Sequence, residues 1–503
     1  MRSKRRRRDS ADSSSSAIDP FLTLFPAAGG DIDRLTELPD VLRLHILSLL
    51  PLKFAIRSGA LSSRWRGLWR IRWPQPSLLD ISPPLSLPHS DFVAAVDDFI
   101  RRRGCLRLDS LQILFSPSSP HIPDLKRWLD YAAACSVSDL HLDLSPPTHS
   151  SDSAGTSRRR RARATAAAAP ILDFTCESPT LTRLTLRGFH LTYPSFKKLA
   201  YSLEILNLCD IYLSYASLRR ILVSCPLLRS LSIRRCPDLK KVVVPSSALR
   251  LTRLTVADCR KASEISVSVL GLRSFHFCGA LLKNFDIESS PTLEDVYISS
   301  GGAVPAMPRG DWVKPLVELA NLKVLTLCSL SLEYIAALGS RAKGGFRWLP
   351  SLLELQLLML VMADSNLSDI YSFFKLCPSP KLEKLFIELP MNACDPSIKS
   401  YLEVPKEDPP DGGFDHLKIV KMNGFKGHQN ETLLAGFFLA KACNLEHLVV
   451  ISSQLDSGDS LVADNMLRHL CMKLSLLPKV SANADVVLLD CDDLQFRPSH
   501  SQI

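Results

Sequence analysis

Thirteen times between residues 105 and 450 the chain repeats one pattern: an apolar residue, two others, an apolar residue, one other, and an apolar residue. The units start at Leu108, Val137, Leu181, Leu203, Leu228, Leu251, Leu272, Leu293, Leu322, Leu352, Leu382, Leu417 and Leu445. Leucine is common enough that one match means little; thirteen in series constrain the fold. Side chains alternate between the two faces of a strand, so the last two apolar positions of each unit share a face and the residue between them points the other way. No single unit can bury its apolar face alone, so neighbours must stack into one continuous core. The pattern therefore predicts an α/β solenoid, curved, with a parallel sheet on its concave side. From Leu181 to Leu293 successive units start 22, 25, 23, 21 and 21 residues apart, which is room for one strand and a short return. Later spacings of 28 to 35 leave room for a helix.

The rest of the chain divides around this array. Residues 1–30 are Arg/Ser-rich and then Gly/Ala-rich, and read as a disordered basic leader. Residues 31–73 read as three short helices: Leu38-Pro39-Asp40 opens the first, with Pro at a first-turn position. Val41, Leu42, Ile46 and Leu49 then recur at helical spacing. Pro51 ends it, and Leu61, Trp65, Leu68 and Trp69 share a face of the third helix. Two indoles on so small a unit form either its own core or a face that needs a partner. Residues 74–104 read as a proline-rich linker and one helix, 105–410 as the repeats with a disordered insert at 145–170, and 491–503 as a tail.

Charge and cysteines narrow the function. The net charge is +10, but residues 1–30 and 148–170 alone contribute +7 through two arginine-rich runs, Arg2 with Lys4–Arg8, and Arg158–Arg161 with Arg163. A folded nucleic-acid-binding surface usually carries its charge as a stripe, so nucleic acid is not the expected partner. The first run reads equally as a nuclear-import signal or a solvated tail. The closest of the 14 cysteines are Cys225 and Cys236. No C-x-x-C pair supports a zinc site, and the scatter fits reduced thiols. No apolar run of 18 residues suggests a membrane span, and no apolar segment behind the basic start suggests a secretory signal. The expected location is the nucleus, the cytoplasm or both.

The first block, DRLTELPDVLRLHILSLLPLKFAIRSGALSSRWRGLWR over residues 33–70, resembles the F-box motif, particularly its plant form. Its signature lies in Leu38-Pro39-Asp40, Ile46-Leu47-Ser48 to Pro51, and Leu61-Ser62 through Arg64-Trp65-Arg66 to Leu68-Trp69. Residues 411–490 resemble the FBD region, through Leu417-Lys418, Gly424-Phe425, Gly427, Glu431, and Ala442-Cys443 with Leu445-Glu446. The chain is thus similar to plant F-box, leucine-rich-repeat, FBD proteins. The resemblance implies the substrate-recognition subunit of an SCF-type cullin ubiquitin ligase. In such a protein the F-box binds a Skp-family adaptor, and through it a cullin, while the repeats hold a protein substrate. It also implies that Leu38, Pro39, Leu42, Ile46, Pro51, Leu61, Trp65 and Trp69 form the adaptor contact or hold it in shape.

No nucleophile elbow, zinc-protease helix or phosphate-binding loop is present. His141 and Asp143 share a strand face, too few ligands for a metal site, and Gly424-Phe425-Lys426-Gly427 reads as a turn. No catalytic residue, metal or cofactor is expected. Substrate contact should fall on outward-facing strand positions: Arg187, Asn207, Arg234, His276, Tyr297, Gln356 and Phe386. The alternative function is a leucine-rich-repeat interaction scaffold with no role in degradation.

Overall fold

Strands with one apolar face and returns on one side can only add to each other in parallel, and the computed structural model of the chain has this arrangement. It describes residues 35, 37–50, 54, 57–60, 62–66, 68, 78–82, 89–115, 122–145, 170–172, 178–191, 202–280, 282, 284–287, 292–300, 319–341, 349–390, 407–452, 470–489 and 496–501. The leader, and residues 146–169 of the insert with its arginine run, lie outside them. The chain divides into two compact units, residues 1–72 and 73–503.

The strands of the larger unit, in chain order, begin with β1 (Leu78–Ile81), β2 (Ser110–Leu114), β3 (Asp139–Asp143), β4 (Ile171–Leu172), β5 (Arg183–Arg187), β6 (His190–Leu191) and β7 (Ile205–Cys209). Then come β8 (Ser230–Arg234), β9 (Lys241–Val244), β10 (Arg253–Cys259), β11 (Glu264–Val267), β12 (Ser274–Gly279), β13 (Asn284–Ile287) and β14 (Asp295–Ser300). The last are β15 (Val324–Cys328), β16 (Glu354–Leu358), β17 (Lys384–Glu388), β18 (Ile419–Asn423), β19 (His447–Ile451) and β20 (Asp485–Leu489). Fifteen of these form one sheet; β9, β11 and β13 form a second, three-stranded sheet, and β4 pairs with β6. The fold is the expected α/β leucine-rich-repeat solenoid.

All thirteen units read from the sequence are strands of the main sheet, and β1 and β20 extend it at either end. The stretch 74–104 is therefore not only linker and helix: its Leu79 and Ile81 are buried and continue the core row beside Leu111 and Ile113. At the far end β18, β19 and β20, all from the region resembling FBD, simply continue the sheet.

What covers the core changes along the array. The short repeats use extended returns, and three of them pair as β9, β11 and β13. The longer ones carry helices. Among the described residues the helices are α1 (Asp40–Leu49), α2 (His89–Arg103), α3 (Ile122–Ala134), α4 (Tyr215–Ser224), α5 (Ser329–Arg341), α6 (Asp364–Leu376) and α7 (Gln429–Lys441). The 10-residue α4 fits even into a 25-residue spacing, started by Ser214, whose side chain accepts the Ser217 N–H at 3.1 Å. Strand exits are tight: Gly188, just after β5, has φ +84°, and a Cβ there would lie 2.5 Å from Ser145 N.

The Gly424–Gly427 segment is a turn, with φ +79° and +75° at its two glycines. A helix follows it, since α7 starts at Gln429. The anion position at that helix start is already taken by Glu431, whose carboxylate accepts from Lys426 N at 2.8 Å and His428 N at 3.1 Å. Glu431 is 1% exposed, so its removal leaves two sheltered N–H groups without their acceptor. Glu431→Ala is expected to destabilise the protein by about 2–3 kcal/mol, read as a lower midpoint in urea denaturation.

In the smaller unit α1 is apolar on both sides. Leu47, Trp65 and Leu68 are buried together, and Leu44, Ile46 and Leu50 pack against them. Arg43 is buried as well. Its guanidinium donates to the Arg64 carbonyl at 2.9 Å and pairs with Asp40, tying α1 to the turn that carries Trp65.

Candidate functional site

The residues expected to meet a partner fall on two surfaces. The first belongs to the smaller unit. Burial divides the eight residues expected at the adaptor contact. Trp65 is 2% exposed and forms the unit's core with Leu47 and Leu68, so its ring is not on the surface. Its indole N–H is buried with no hydrogen-bond partner among the described residues. Ile46 packs against the same core. Leu42 is exposed, Pro39 is exposed and Leu38 is half-buried. Pro51, Leu61 and Trp69 lie outside the described residues. The outward apolar side is wider than the sequence reading had it: Leu35, Val41, Leu42, Leu49 and Phe54 are all exposed. Val41, Leu42 and Leu49 stand on one side of α1, opposite Arg43, Leu44 and Leu47.

The second surface is the open face of the large sheet. Its central row follows from strand register. It runs Asp80, Gln112, His141, Thr185, Asn207, Ser232, Thr255, His276, Tyr297, Thr326, Gln356, Phe386, Lys421, Val449 and Val487. The row has two halves. From Asp80 to His276 every residue is half-buried, as expected of an open sheet. From Tyr297 to Val449 every residue is buried.

Residues 496–501 cross this part of the sheet. Phe496 O accepts from Lys421 Nζ at 2.7 Å on β18, and the Phe496 ring lies 5.4 Å from the His447 ring on β19. Ser499 N donates to Glu354 Oε1 at 2.6 Å on β16. His500 then reaches Thr326 Oγ1 with Nδ1 at 2.7 Å on β15, and pairs through Nε2 with Asp295 on β14. Its ring also packs against Tyr297 and His276, at centroid distances of 5.5 and 4.8 Å. Strands lie about 4.8 Å apart, so β18 to β14 spans roughly 19 Å; side-chain reach at both ends lets five residues cover it.

Of the expected substrate contacts, Tyr297, Gln356 and Phe386 sit on the outward row and are buried, on strands that residues 496–501 bridge. Phe386 lies on β17, between the strands that Ser499 and Phe496 engage. His276 stays half-buried and bonds to Asp295 Oδ2 at 3.0 Å and Ser274 Oγ at 3.1 Å. Asn207 donates to Thr185 Oγ1 at 3.1 Å, and Arg234 lies near Ser232 Oγ at 3.4 Å. Arg187 is shared by two carboxylates, Asp143 at 3.4 Å and Asp210 at 3.1 Å, and Arg235 holds Asp210 from the other side at 2.9 Å. Its charge is offset within the sheet, which makes it a weak anchor for an acidic partner.

Among the described residues, one group has metal-ligand chemistry: His276, Asp295 and His500, whose ligand atoms lie within 4.8 Å of one another. Both histidines hydrogen-bond through Nε2 to the Asp295 carboxylate. Burial alone pushes the Asp295 carboxyl up, but the bonds from His276 and His500 outweigh it and hold the group well below the usual carboxylate range. His141 and Asp143 do not form such a group; Asp143 accepts from Ser145 N at 2.9 Å and pairs with Arg187. Burial pushes the Cys225 thiol up to about 12, and burial with Asp210 alongside pushes Cys209 up to about 11. Neither supplies a thiolate near neutral pH.

Three residues that matter here escaped the sequence reading: Arg43, Glu431 in its capping role, and His500. Glu431 sits three residues after His428, the spacing of a capping box, and that signal was available. Nothing local marks His500, because its partners lie about 170 to 205 positions away.

A stack of short parallel strands with a single apolar core is a leucine-rich-repeat architecture. The family described as "At1g61320/AtMIF1, LRR domain" matches residues 105–476, and the chain belongs to it. Over almost its full length it is similar to two proteins of Arabidopsis thaliana. F-box/FBD/LRR-repeat protein At1g78750 is 24% identical over 484 residues, covering 91% of this chain and 97% of that one. FBD-associated F-box protein At5g56370 is 25% identical over 479 residues, covering 91% and 100%. An LRR protein of Leptospira interrogans is a structural neighbour with a TM-score of 0.33 at 12% identity, covering 84% of this chain and 91% of that one. The chain is thus similar to plant proteins named for an F-box and an FBD region. No described helix is long and apolar enough to cross a membrane.

Proposed function

We propose that the chain is the substrate-recognition subunit of an SCF-type cullin ubiquitin ligase, working in the nucleus, the cytoplasm or both. The smaller unit docks a Skp-family adaptor, and the open sheet face takes the protein substrate. The observation that carries this reading is the two-sided apolar character of α1. One side is satisfied by Trp65, Leu47 and Leu68, while Val41, Leu42 and Leu49 remain exposed on the other, with Leu35 and Phe54 exposed in the same unit. A small unit holds such a surface open at a cost in solubility, which is the mark of a docking face.

The substrate role follows from division of labour. The half-buried row from Asp80 to His276 offers short polar side chains in register over eight strands, a surface suited to a protein partner and without the converging groups of a reaction centre. No chemistry is assigned to the chain itself; transfer of ubiquitin falls to other subunits. The test is affinity purification from plant cells with and without a proteasome inhibitor. A Skp-family adaptor should co-purify in both, and substrate should accumulate only with the inhibitor. Partners whose abundance ignores both the inhibitor and the deletion of residues 31–73 would favour the plain scaffold.

A further inference from the structure

Six residues buried in an otherwise open row, on strands that one segment bridges, mark a second binding site on the sheet. We propose that the face of β14 to β19 is a groove for an extended peptide, occupied here by the chain's own residues 496–501. Its trans ligand would be a peptide with an aromatic residue followed four positions later by a basic or imidazole side chain. This deepens the substrate-binding reading above and rests on it, because it names the class of segment the covered half of the sheet would accept.

The chemistry of the groove sets that pattern. At one end Lys421, itself 4% exposed, holds a backbone carbonyl, and His447 offers a ring to an aromatic side chain. In the middle the carboxylate of Glu354, 6% exposed, takes a backbone N–H. At the other end Asp295, Thr326 and the ring of Tyr297 surround an imidazole. Two of the contacts are to backbone atoms, which any extended peptide offers, and two are to side chains, which select.

The segment is also built to leave. Beside the ring contacts of Phe496 and His500, it is held to the sheet by charged and polar groups, and each of these can return to water when the segment lifts. Such exchange of hydrogen bonds is nearly balanced, unlike the withdrawal of a leucine from the core row. Arg497 and Ser499 are exposed even in the bound state. The tethered copy competes at a local concentration of roughly millimolar order, so an external peptide must bind well or arrive in place of a displaced tail.

The experiment uses the full chain with a site-specific protease sequence placed within residues 490–495, cut after folding. A fluorescent peptide of residues 492–503 is then titrated by anisotropy into uncut protein and into cut protein dialysed free of its tail. The expected result is saturable binding to the cut form at least tenfold tighter than to the uncut form, and a further tenfold loss for the peptide carrying His500→Ala. Equal binding to both forms would overturn the groove, as would no binding by a cut protein with an unchanged circular dichroism spectrum. Unfolding on removal of the tail, or a tail that survives dialysis, would make the segment a structural part and overturn it too. Full-length Phe496→Ala/His500→Ala provides a second arm that needs no cut: it should bind the wild-type peptide more tightly than the parent does. No ligase component enters the assay, so failure of adaptor docking would sink the ligase reading and leave this result standing.

Discussion

Trp65→Ala should melt the smaller unit rather than trim a contact. The side chain is 2% exposed and is the largest member of a core that otherwise rests on Leu47 and Leu68. Truncating a buried tryptophan typically costs about 3–5 kcal/mol, and a unit of this size holds little more than that in reserve. Amides of α1, residues 40–49, should then exchange hydrogen at the rate of unstructured peptide, while those of β7 to β19 keep their protection. Trp65→Phe is expected to be mild. It removes an indole N–H that is buried without a described partner, and relief of that penalty offsets much of the smaller ring's lost packing. Protected α1 amides in Trp65→Ala would show that the helix has other support.

Asp369→Asn should raise the stability of the larger unit, and only above mildly acidic pH. Asp369 lies on α6 and is 4% exposed; burial, with Glu333 of α5 nearby, pushes its carboxyl up to about 7 from the ordinary 3.8. The folded value is the higher one, so the folded state holds a proton that the unfolded state releases. Stability from this group is complete below about pH 4 and is lost as pH rises toward 7. The accumulated penalty at pH 8 is about 4 kcal/mol. An amide carries no charge to bury, so the variant should unfold roughly 5 °C higher than the parent at pH 8 and match it at pH 4. Scanning calorimetry at both pH values checks this; an equal shift at the two would mean that packing, not charge, separates the side chains.

The fold was legible because its repeat is local. Each unit's apolar positions lie within six residues, and the physics that aligns them acts within one strand. The two strands of the main sheet missed by the pattern, β1 and β20, break it at one place: where the first apolar residue belongs they carry Pro76 and Asn483. Neighbouring strands supplied the stacking that the local sequence lacked. The candidate surfaces were less legible. Alternation placed Tyr297, Gln356 and Phe386 correctly on the outward row, but six residues from the far end of the chain cross that part of the sheet, and no spacing rule encodes their reach. Likewise the helical stripe Val41, Leu42, Leu49 could be read, but not which side of a doubly apolar α1 would keep Trp65. Arg43 lies on that side with Leu44 and Leu47 and bonds to the Arg64 carbonyl.

The most direct test of the docking claim separates the outer side of α1 from the inner. Calorimetric titration of a purified Skp-family adaptor into the full chain should give a saturable heat. In Leu42→Asp/Leu49→Asp, whose changes fall on exposed positions, α1 should stay folded by hydrogen exchange while binding weakens at least a hundredfold, the loss of about 3 kcal/mol expected for apolar anchors. Unchanged affinity in that variant, with α1 intact, would contradict the account.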